Sequence, residues 1–327
     1  MALRLKFMSG TNPRLAPLRD GTVEPEGIEL EWVEPASGLP LFQHNLRFDD
    51  LEVAEMSISE CLVARERRSG FGQGKWDWAY IPSFLGRGHN WDRMLVAASS
   101  SMRGLADLKG KRVAVRDYSM TSMVWLRAML KDLHAVEAGD IVWYNIGNRG
   151  KDTGLDKEPP RGVELHWLGE GDDALAMLER GELDAVHDAP AAKLGAGRVR
   201  RLFPDGSKEL VFDYFRKTGC YQVNHHYVIQ NRILKENPWA ARALYDAFER
   251  SKQVAYERAR RAAATYLYFE GRDFEQQAAV LGDDPFPSGI AANRRTLERL
   301  CRASYEQGLI ATPVTVEEAY AGELLAT

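Results

Sequence analysis

Two short stretches of this 327-residue chain place hydroxyl side chains where a strand hands over to a helix. One is Met56-Ser57-Ile58-Ser59; the other is Tyr118-Ser119-Met120-Thr121. Free backbone N–H groups and the helix dipole make such a junction favourable for a carboxylate or a phosphate. A plain N-cap serves the same pattern, and Ser57 with Glu60 three residues on has the spacing of a capping box. His225-His226 stands at a strand start, after Gly219-Cys-Tyr-Gln-Val-Asn224. In an extended chain the two rings point to opposite faces, so at most one serves a given site. His187-Asp188 ends another strand, and open α/β sheets place ligands at the carboxyl ends of strands, which makes Asp188 a candidate. Arg14, Arg87 and Arg127 are candidate carboxylate partners, although Arg127 lies well inside a helix, where a surface or salt-bridge role fits better. Nothing marks Cys220 as a thiolate.

Other chemistries are excluded by what the chain lacks. Gly86-x-Gly88 has no third glycine and does not join a strand to a helix at the spacing of a dinucleotide fingerprint. There is no Walker loop, no HExxH, no Cys/His cluster with zinc spacing and no Gly-x-Ser-x-Gly elbow. No metal or cofactor is called for. The 43 Lys+Arg and 47 Asp+Glu leave a charge of -4, which argues against a nucleic-acid scaffold and gives no reason for a membrane surface. Hydrophobic residues at 45% and charged residues at 28% are ordinary for a soluble globular protein of about two domains. The three cysteines, Cys61, Cys220 and Cys301, include no CxxC pair and are odd in number, which is not a disulfide framework and suits a reducing compartment. Arg4 and Lys6 interrupt the apolar positions of the N-terminus, so it reads as a strand and not as an export signal. A cytoplasmic location is therefore expected. Oligomeric state is left open.

The elements that must position these residues follow from periodicity. Leu3, Leu5 and Phe7 alternate as a strand, and so do Ile28, Leu30 and Trp32. An apolar run up to Met56 leads into a helix through Cys61, Leu62 and Ala64 to about Arg67. Trp78 to Phe84 is another apolar run. Strands are expected at 94–98, 113–115, 142–144, 183–187 and 227–229. Ser119 opens a helix in which Met123, Leu126, Met129, Leu130 and Leu133 keep the helical period. A compact helix occupies 171–181, a long polar loop 147–162, and a long helix starts at Pro238. Strands that alternate with helices predict an α/β architecture with largely parallel strands.

Several motifs resemble known ones. Leu105-Ala-Asp-Leu-Lys-Gly-Lys-Arg-Val-Ala-Val115 and Leu178-Glu-Arg-Gly-Glu-Leu-Asp-Ala185 resemble the signature of the type II periplasmic-binding-protein fold. Further stretches look like the 4,5-dihydroxyphthalate decarboxylase family. They are Pro25-Glu-Gly-Ile28, Asp50-Leu-Glu-Val-Ala-Glu-Met-Ser-Ile-Ser59, Tyr118-Ser-Met-Thr-Ser-Met-Val-Trp-Leu-Arg127, Arg200-Arg-Leu-Phe-Pro204, Thr218-Gly219, His225 and Asn237-Pro-Trp239. The resemblance covers about residues 3 to 260, in the family's order. The chain departs from the pattern in two places. Of the family's Asp-Arg-Thr-Arg type run, Pro13-Arg14-Leu15-Ala16 keeps only the arginine. Of its Arg-x-Phe-Arg-His stretch, Arg87-Gly-His-Asn-Trp91 keeps Arg87, has Asn90 and Trp91 at the last two positions, and offers His89 as a partial replacement.

The resemblance implies two lobes joined by two crossover strands, with the ligand cleft between them. Lobe one is expected at 1–98 plus 228–327 and lobe two at 99–227. It implies loss of one carboxylate, as CO2, from a hydroxylated aromatic acid such as 4,5-dihydroxyphthalate, in the catabolism of aromatic compounds. His225 is then the proton-transfer residue, since histidine holds or donates a proton near neutral pH, and Asp188 is the second catalytic candidate. Arg14, Ser57, Ser59, Arg87, His89, Ser119, Met120 and Thr121 are the expected substrate contacts, with Trp91, Tyr118 or Trp125 as a shelf for the ring. The alternative is a solute-binding protein of the ABC-transporter type that captures a small carboxylate without chemistry.

Overall fold

The structure is a computed structural model and describes residues 2–34, 40–67, 75–85, 90–146, 159–169, 171–187, 198–266 and 270–327. Its strands in chain order are β1 (Leu3–Met8), β2 (Ile28–Trp32), β3 (Val53–Ser57), β4 (Trp78–Ile81), β5 (Met94–Ala97), β6 (Arg112–Val115), β7 (Val142–Asn145), β8 (Leu165–Trp167), β9 (Ala185–His187), β10 (Val199–Arg201) and β11 (His225–Gln230). Its helices are α1 (Ala16–Arg19), α2 (Leu41–Phe48), α3 (Ile58–Arg67), α4 (Thr121–His134), α5 (Ala174–Glu179), α6 (Lys208–Thr218), α7 (Asn231–Glu236), α8 (Ala240–Tyr266), α9 (Glu270–Leu281), α10 (Ile290–Glu306) and α11 (Val316–Ala319). The chain divides into two compact units. Unit 1 comprises Met1–Arg87, Val223–Glu298 and Val314–Thr327; unit 2 comprises Gly88–Gln222 and Arg299–Pro313.

Unit 1 is built on a five-stranded sheet in the order β2-β1-β3-β11-β4. In β1 the alternation is realised: Leu5 and Phe7 are buried while Arg4 and Lys6 are exposed. β3 lies between β1 and β11, and all five of its residues are buried. One sheet face carries Phe7, Val53, Ile81, Tyr227 and Ile229 against Leu244, Ala247 and Phe248 of α8. Tyr227 and Phe248 stack with ring centroids 4.0 Å apart. Burying a side chain of this size stabilises the fold by about 1.5–3 kcal/mol.

Unit 2 is built on a six-stranded sheet in the order β10-β5-β9-β6-β7-β8. α5 closes one part of its core through Ala174, Leu175 and Leu178, packed with Leu95, Ala114, Val186 and Val199. The first ten residues of α4 are all buried, which marks an interior helix and not an amphipathic surface one.

The expectation of largely parallel strands is corrected. β1 pairs in parallel with β2 and β3, but β11 runs antiparallel between β3 and β4. In unit 2, β6 pairs in parallel with β7 and β9, and β7 with β8, whereas β5 is antiparallel to both β9 and β10. Both sheets are mixed. Periodicity tells which residues face the core but not which way the strand runs. Three stretches also group differently from the expected lobes, and one of them, residues 223–227 with His225, falls in unit 1. β5 joins unit 2 through β9 and β10, and residues 299–313 join it as well.

Two pairs of family-like motifs turn out to be structural contacts. Arg112 and Asp184, one from each signature of the periplasmic-binding-protein type, form a two-pronged ion pair, Nε–Oδ2 3.0 Å and Nη2–Oδ1 3.0 Å. The backbone N–H of Arg112 also donates to Asp184 Oδ2 at 2.9 Å, and this locks β6 beside β9. In unit 1, Gly27 meets Trp239. Gly27 has φ +70°, and a Cβ added there lies 3.1 Å from the Trp239 ring. Gly27→Ala is thus expected to destabilise by about 1–2 kcal/mol, from left-handed backbone strain plus the displaced indole. Equal urea midpoints for the two proteins would refute this.

Candidate active site

The carboxyl ends of β1 and β3 and the start of β11 bring four polar side chains to one sheet face. In the antiparallel register His225 lies opposite Ser57, and Tyr227 opposite Glu55. With period two, His225, Tyr227, Glu55 and Ser57 share that face. Glu55 Oε1 is 2.8 Å from His225 Nδ1. Glu55 Oε2 accepts from the Ser9 hydroxyl at 2.6 Å and from the Gly10 N–H at 2.9 Å, just past the end of β1. Burial pushes the Glu55 carboxyl up, but the His225 imidazole, Ser9 and Gly10 together outweigh this and hold it below the ordinary carboxylate range. Glu55 is therefore ionised at neutral pH. The His225 ring is half-buried and makes a T-shaped contact with Phe42 of α2, ring centroids 4.8 Å apart.

His226 is on the other face, as the alternation requires. It is fully buried against Tyr80 and Tyr320, ring centroids 4.6 and 5.7 Å away. Burial first, and the neighbouring His225 second, pull its pKa down to about 3, so it stays neutral and serves the core.

Ser57 ends β3 and Ser59 lies in the first turn of α3; both are buried. Glu60, also buried, lies in the same first turn, where a carboxylate answers the positive end of the helix dipole. Arg14 is nearby in the fold but engaged. Its Nη1 donates to the Phe84 carbonyl at 3.3 Å, its Nη2 to the Leu85 carbonyl, and its guanidinium covers the Phe286 ring at 3.9 Å. The Leu85 N–H in turn donates to the His225 carbonyl at 3.2 Å. Arg14 thus holds the segment after β4 beside the start of β11. Burial lowers its pKa. Arg87, His89 and Asp188 lie outside the described residues.

In unit 2 the second hydroxyl junction differs from the expected one. α4 begins at Thr121 with Met120 as its N-cap, and no side chain caps it. Ser119 does not open the helix. Its hydroxyl and its N–H both donate to Asp117 Oδ1, at 2.7 and 2.8 Å, in a turn before the helix. The first turn of α4 holds no acidic residue, unlike that of α3, and the Asp117 carboxylate stands in the turn just before it. Arg127 is not on the surface, and among the described residues it forms no salt bridge. It is 2% exposed, lies 3.6 Å over the Tyr118 ring, and donates to the Tyr118 carbonyl at 2.8 Å and to Gln307 Oε1 at 2.7 Å. Burial, partly offset by Tyr118 and Asp117, lowers its pKa to about 10, so it remains a cation. Trp91, Tyr118 and Trp125 are each 0% exposed, so these rings are core and not an open shelf.

Sequence reasoning missed Glu55, Ser9 and Gly10. A signal for Glu55 existed: it is the one charged residue in the otherwise apolar Val53-Ala-Glu-Met56 run. Ser9 and Gly10 had none, because only the pairing of β1 with β3 brings them to the carboxylate. Among the described residues no group of three or more His, Cys, Asp or Glu is arranged to hold a metal ion, and no helix is long and apolar enough to cross a membrane.

No family model matches the chain. A 4,5-dihydroxyphthalate decarboxylase of Comamonas testosteroni is 28% identical over 317 residues, which span 94% of this chain and 93% of the relative. A 4,5-dihydroxyphthalate decarboxylase of Pseudomonas putida is 30% identical over 190 residues, 56% of this chain and 69% of the relative. Among solved structures, the periplasmic aliphatic sulphonate-binding protein of Escherichia coli superposes with a TM-score of 0.56 at 17% identity, covering 100% of this chain and 99% of that one. A putative periplasmic sulfonate-binding protein of Methylobacillus flagellatus gives 0.58 at 14% identity, covering 99% and 93%. At such identities these two speak for the fold alone, the type II periplasmic-binding-protein-like fold, two-lobed and α/β. Sequence likeness along nearly the whole chain goes further, and it places this protein in the 4,5-dihydroxyphthalate decarboxylase family.

Proposed function

We propose that this protein is a decarboxylase that removes one carboxylate, as CO2, from a hydroxylated aromatic acid of the 4,5-dihydroxyphthalate kind. Family membership supports the reaction class. The observation that carries the mechanism is the half-buried His225 imidazole backed by the buried, ionised Glu55. In the substrate the leaving carboxylate is para to a hydroxyl. His225, as imidazolium, delivers a proton to the ring carbon that bears this carboxylate. The ionised para phenol supplies electrons and becomes a quinoid carbonyl. The carbon–carbon bond then breaks, CO2 leaves, and the bonding pair restores the aromatic ring and the phenolate. One proton is consumed for each CO2 released, and solvent returns it to His225.

Ser57, opposite His225 across β3 and β11, is a proposed substrate contact of unit 1, and Ser59, buried in the first turn of α3, is kept beside it on the strength of the family resemblance. The uncapped start of α4, with Ser119, Met120 and Thr121, is the proposed anion-binding element of unit 2. Arg14 is assigned to holding the segment after β4. Arg87 stays in the proposal on the strength of the family resemblance, His89 as the partial replacement beside it, and Asp188 for its place just after the end of β9 in the sequence. A cytoplasmic setting suits the three free, buried cysteines, and the reaction suits the breakdown of aromatic acids.

The test is incubation of the purified protein with 4,5-dihydroxyphthalate and a panel of hydroxybenzoates. CO2 and the phenolic product are followed by chromatography, with a thermal shift recorded in the same plate. The expected result is stoichiometric CO2 and 3,4-dihydroxybenzoate. A thermal shift without CO2 overturns the proposal in favour of a protein that only captures a carboxylate.

A further inference from the structure

The Glu55 carboxylate is tied across three neighbouring strands, and each of its oxygens has a partner. Oε1 meets His225 Nδ1 on β11, and Oε2 takes the Ser9 hydroxyl and the Gly10 N–H past the end of β1. The backbone of Gly10 comes so close that a Cβ added there lies 3.4 Å from Oε2. Glu55 itself is 7% exposed. A carboxylate in the middle of a buried strand is unfavourable unless it is fully hydrogen-bonded, and this one is. Its net downward pKa shift fits that bonding.

We infer that Glu55, anchored by Ser9 and Gly10, is the positioning residue that fixes the tautomer and orientation of His225, so that Nε2 is the ring nitrogen that exchanges the proton with the substrate. The inference rests on the proposed decarboxylase reading. An ionised carboxylate can only accept hydrogen bonds, so the contact at Nδ1 requires Nδ1–H. Nε2 is then bare in the neutral ring and carries the second proton in the imidazolium. The transferable proton therefore always sits on the same nitrogen. The Phe42 ring packs against the imidazole in a T-shaped contact, ring centroids 4.8 Å apart, and adds to its placement. A simple sheet cross-link needs none of this, since a neutral amide at position 55 would bridge the strands equally well.

That difference defines the experiment, which uses the full chain, wild type and Glu55→Gln, with nitrogen-15-labelled histidine. Nuclear magnetic resonance of the imidazole nitrogens reads the tautomer, and steady-state CO2 release from 4,5-dihydroxyphthalate reads kcat and KM. In the wild type His225 is expected as the Nδ1–H tautomer. In Glu55→Gln the amide both donates and accepts, so the tautomers mix and kcat falls about 100-fold with KM within about threefold. Ser9→Ala keeps the carboxylate and is expected to lower kcat by less than about tenfold with the tautomer retained. An Nε2–H tautomer in the wild type overturns the inference without any variant. So does a Glu55→Gln protein whose tautomer is unchanged or whose kcat stays within threefold. If the wild type releases no CO2 from 4,5-dihydroxyphthalate or any hydroxybenzoate, the decarboxylase reading falls, and the tautomers of wild type and Glu55→Gln alone decide the assignment of Glu55.

Discussion

His225→Ala is expected to lower kcat for CO2 release by about 10³-fold, within the range that a positioned general acid contributes. Among the described residues on this face the imidazole is the group suited to deliver a proton to carbon, since burial pushes the Tyr227 phenol well up. Ser57 and Ser59 offer only hydroxyls, and Glu55 is held ionised. The substitution also leaves Glu55 Oε1 without its partner in a buried place, so a loss of stability of about 1–3 kcal/mol accompanies it. His225→Gln separates the two effects, because the amide keeps a hydrogen bond to Glu55 and transfers no proton. The decisive comparison is kcat of both variants at a temperature where circular dichroism shows each to be folded. A rate within tenfold of wild type for His225→Gln would remove His225 from the mechanism. Loss in both variants with little change in KM is the expected outcome.

Asp132→Ala is expected to destabilise unit 2 by about 2 kcal/mol, between the effect of breaking an exposed ion pair and that of breaking a buried one, because both partners are half-buried. Asp132, near the end of α4, takes two parallel bonds from Arg299, Nε–Oδ2 2.9 Å and Nη2–Oδ1 2.8 Å, and the Tyr214 hydroxyl from α6 at 2.8 Å. Burial pushes the Asp132 carboxyl up, but Arg299 and Tyr214 outweigh this and leave it below the ordinary range. The sign of the pH dependence follows. A carboxyl whose folded pKa is lowered contributes stability above its unfolded value of about 3.9, and loses it as pH falls through the folded value. The gap between wild type and Asp132→Ala in urea midpoint should be full at neutral pH and shrink below about pH 4. A gap that is absent at pH 7, or that widens in acid, would show that the pair does not hold residues 299–313 in unit 2.

The element pattern was legible wherever a local period ran long enough. Leu3, Leu5 and Phe7 announced β1, and the spacing from Met123 to Leu133 announced α4. β8 and β10, at three residues each, are too short to show a period, and α6 was passed over. Ser57 and His225 were singled out by local features, a strand end followed by a helix for the first and an extended pair of rings that must diverge for the second. The same local logic misjudged Arg127. Its place well inside α4 says nothing of what surrounds it, and the answer was the Tyr118 ring and Gln307, far along the chain.

By itself the sequence determined the α/β class, the positions of most strands and long helices, and the family, and it singled out the histidine here proposed for proton transfer. These depend on residue type and near spacing. Only the tertiary structure decided that β11 enters antiparallel between β3 and β4, because a strand's direction depends on where the chain re-enters the sheet. That insertion decides the site. It sets Tyr227 opposite Glu55 and His225 opposite Ser57, and so brings a carboxylate 170 residues away in sequence within 2.8 Å of the imidazole. Ser9 and Gly10 reach the same carboxylate from the other side, because β1 pairs with β3. No spacing along the chain encodes such a contact, since it is fixed by the pairing of strands that are distant in sequence and by the core that holds them in register.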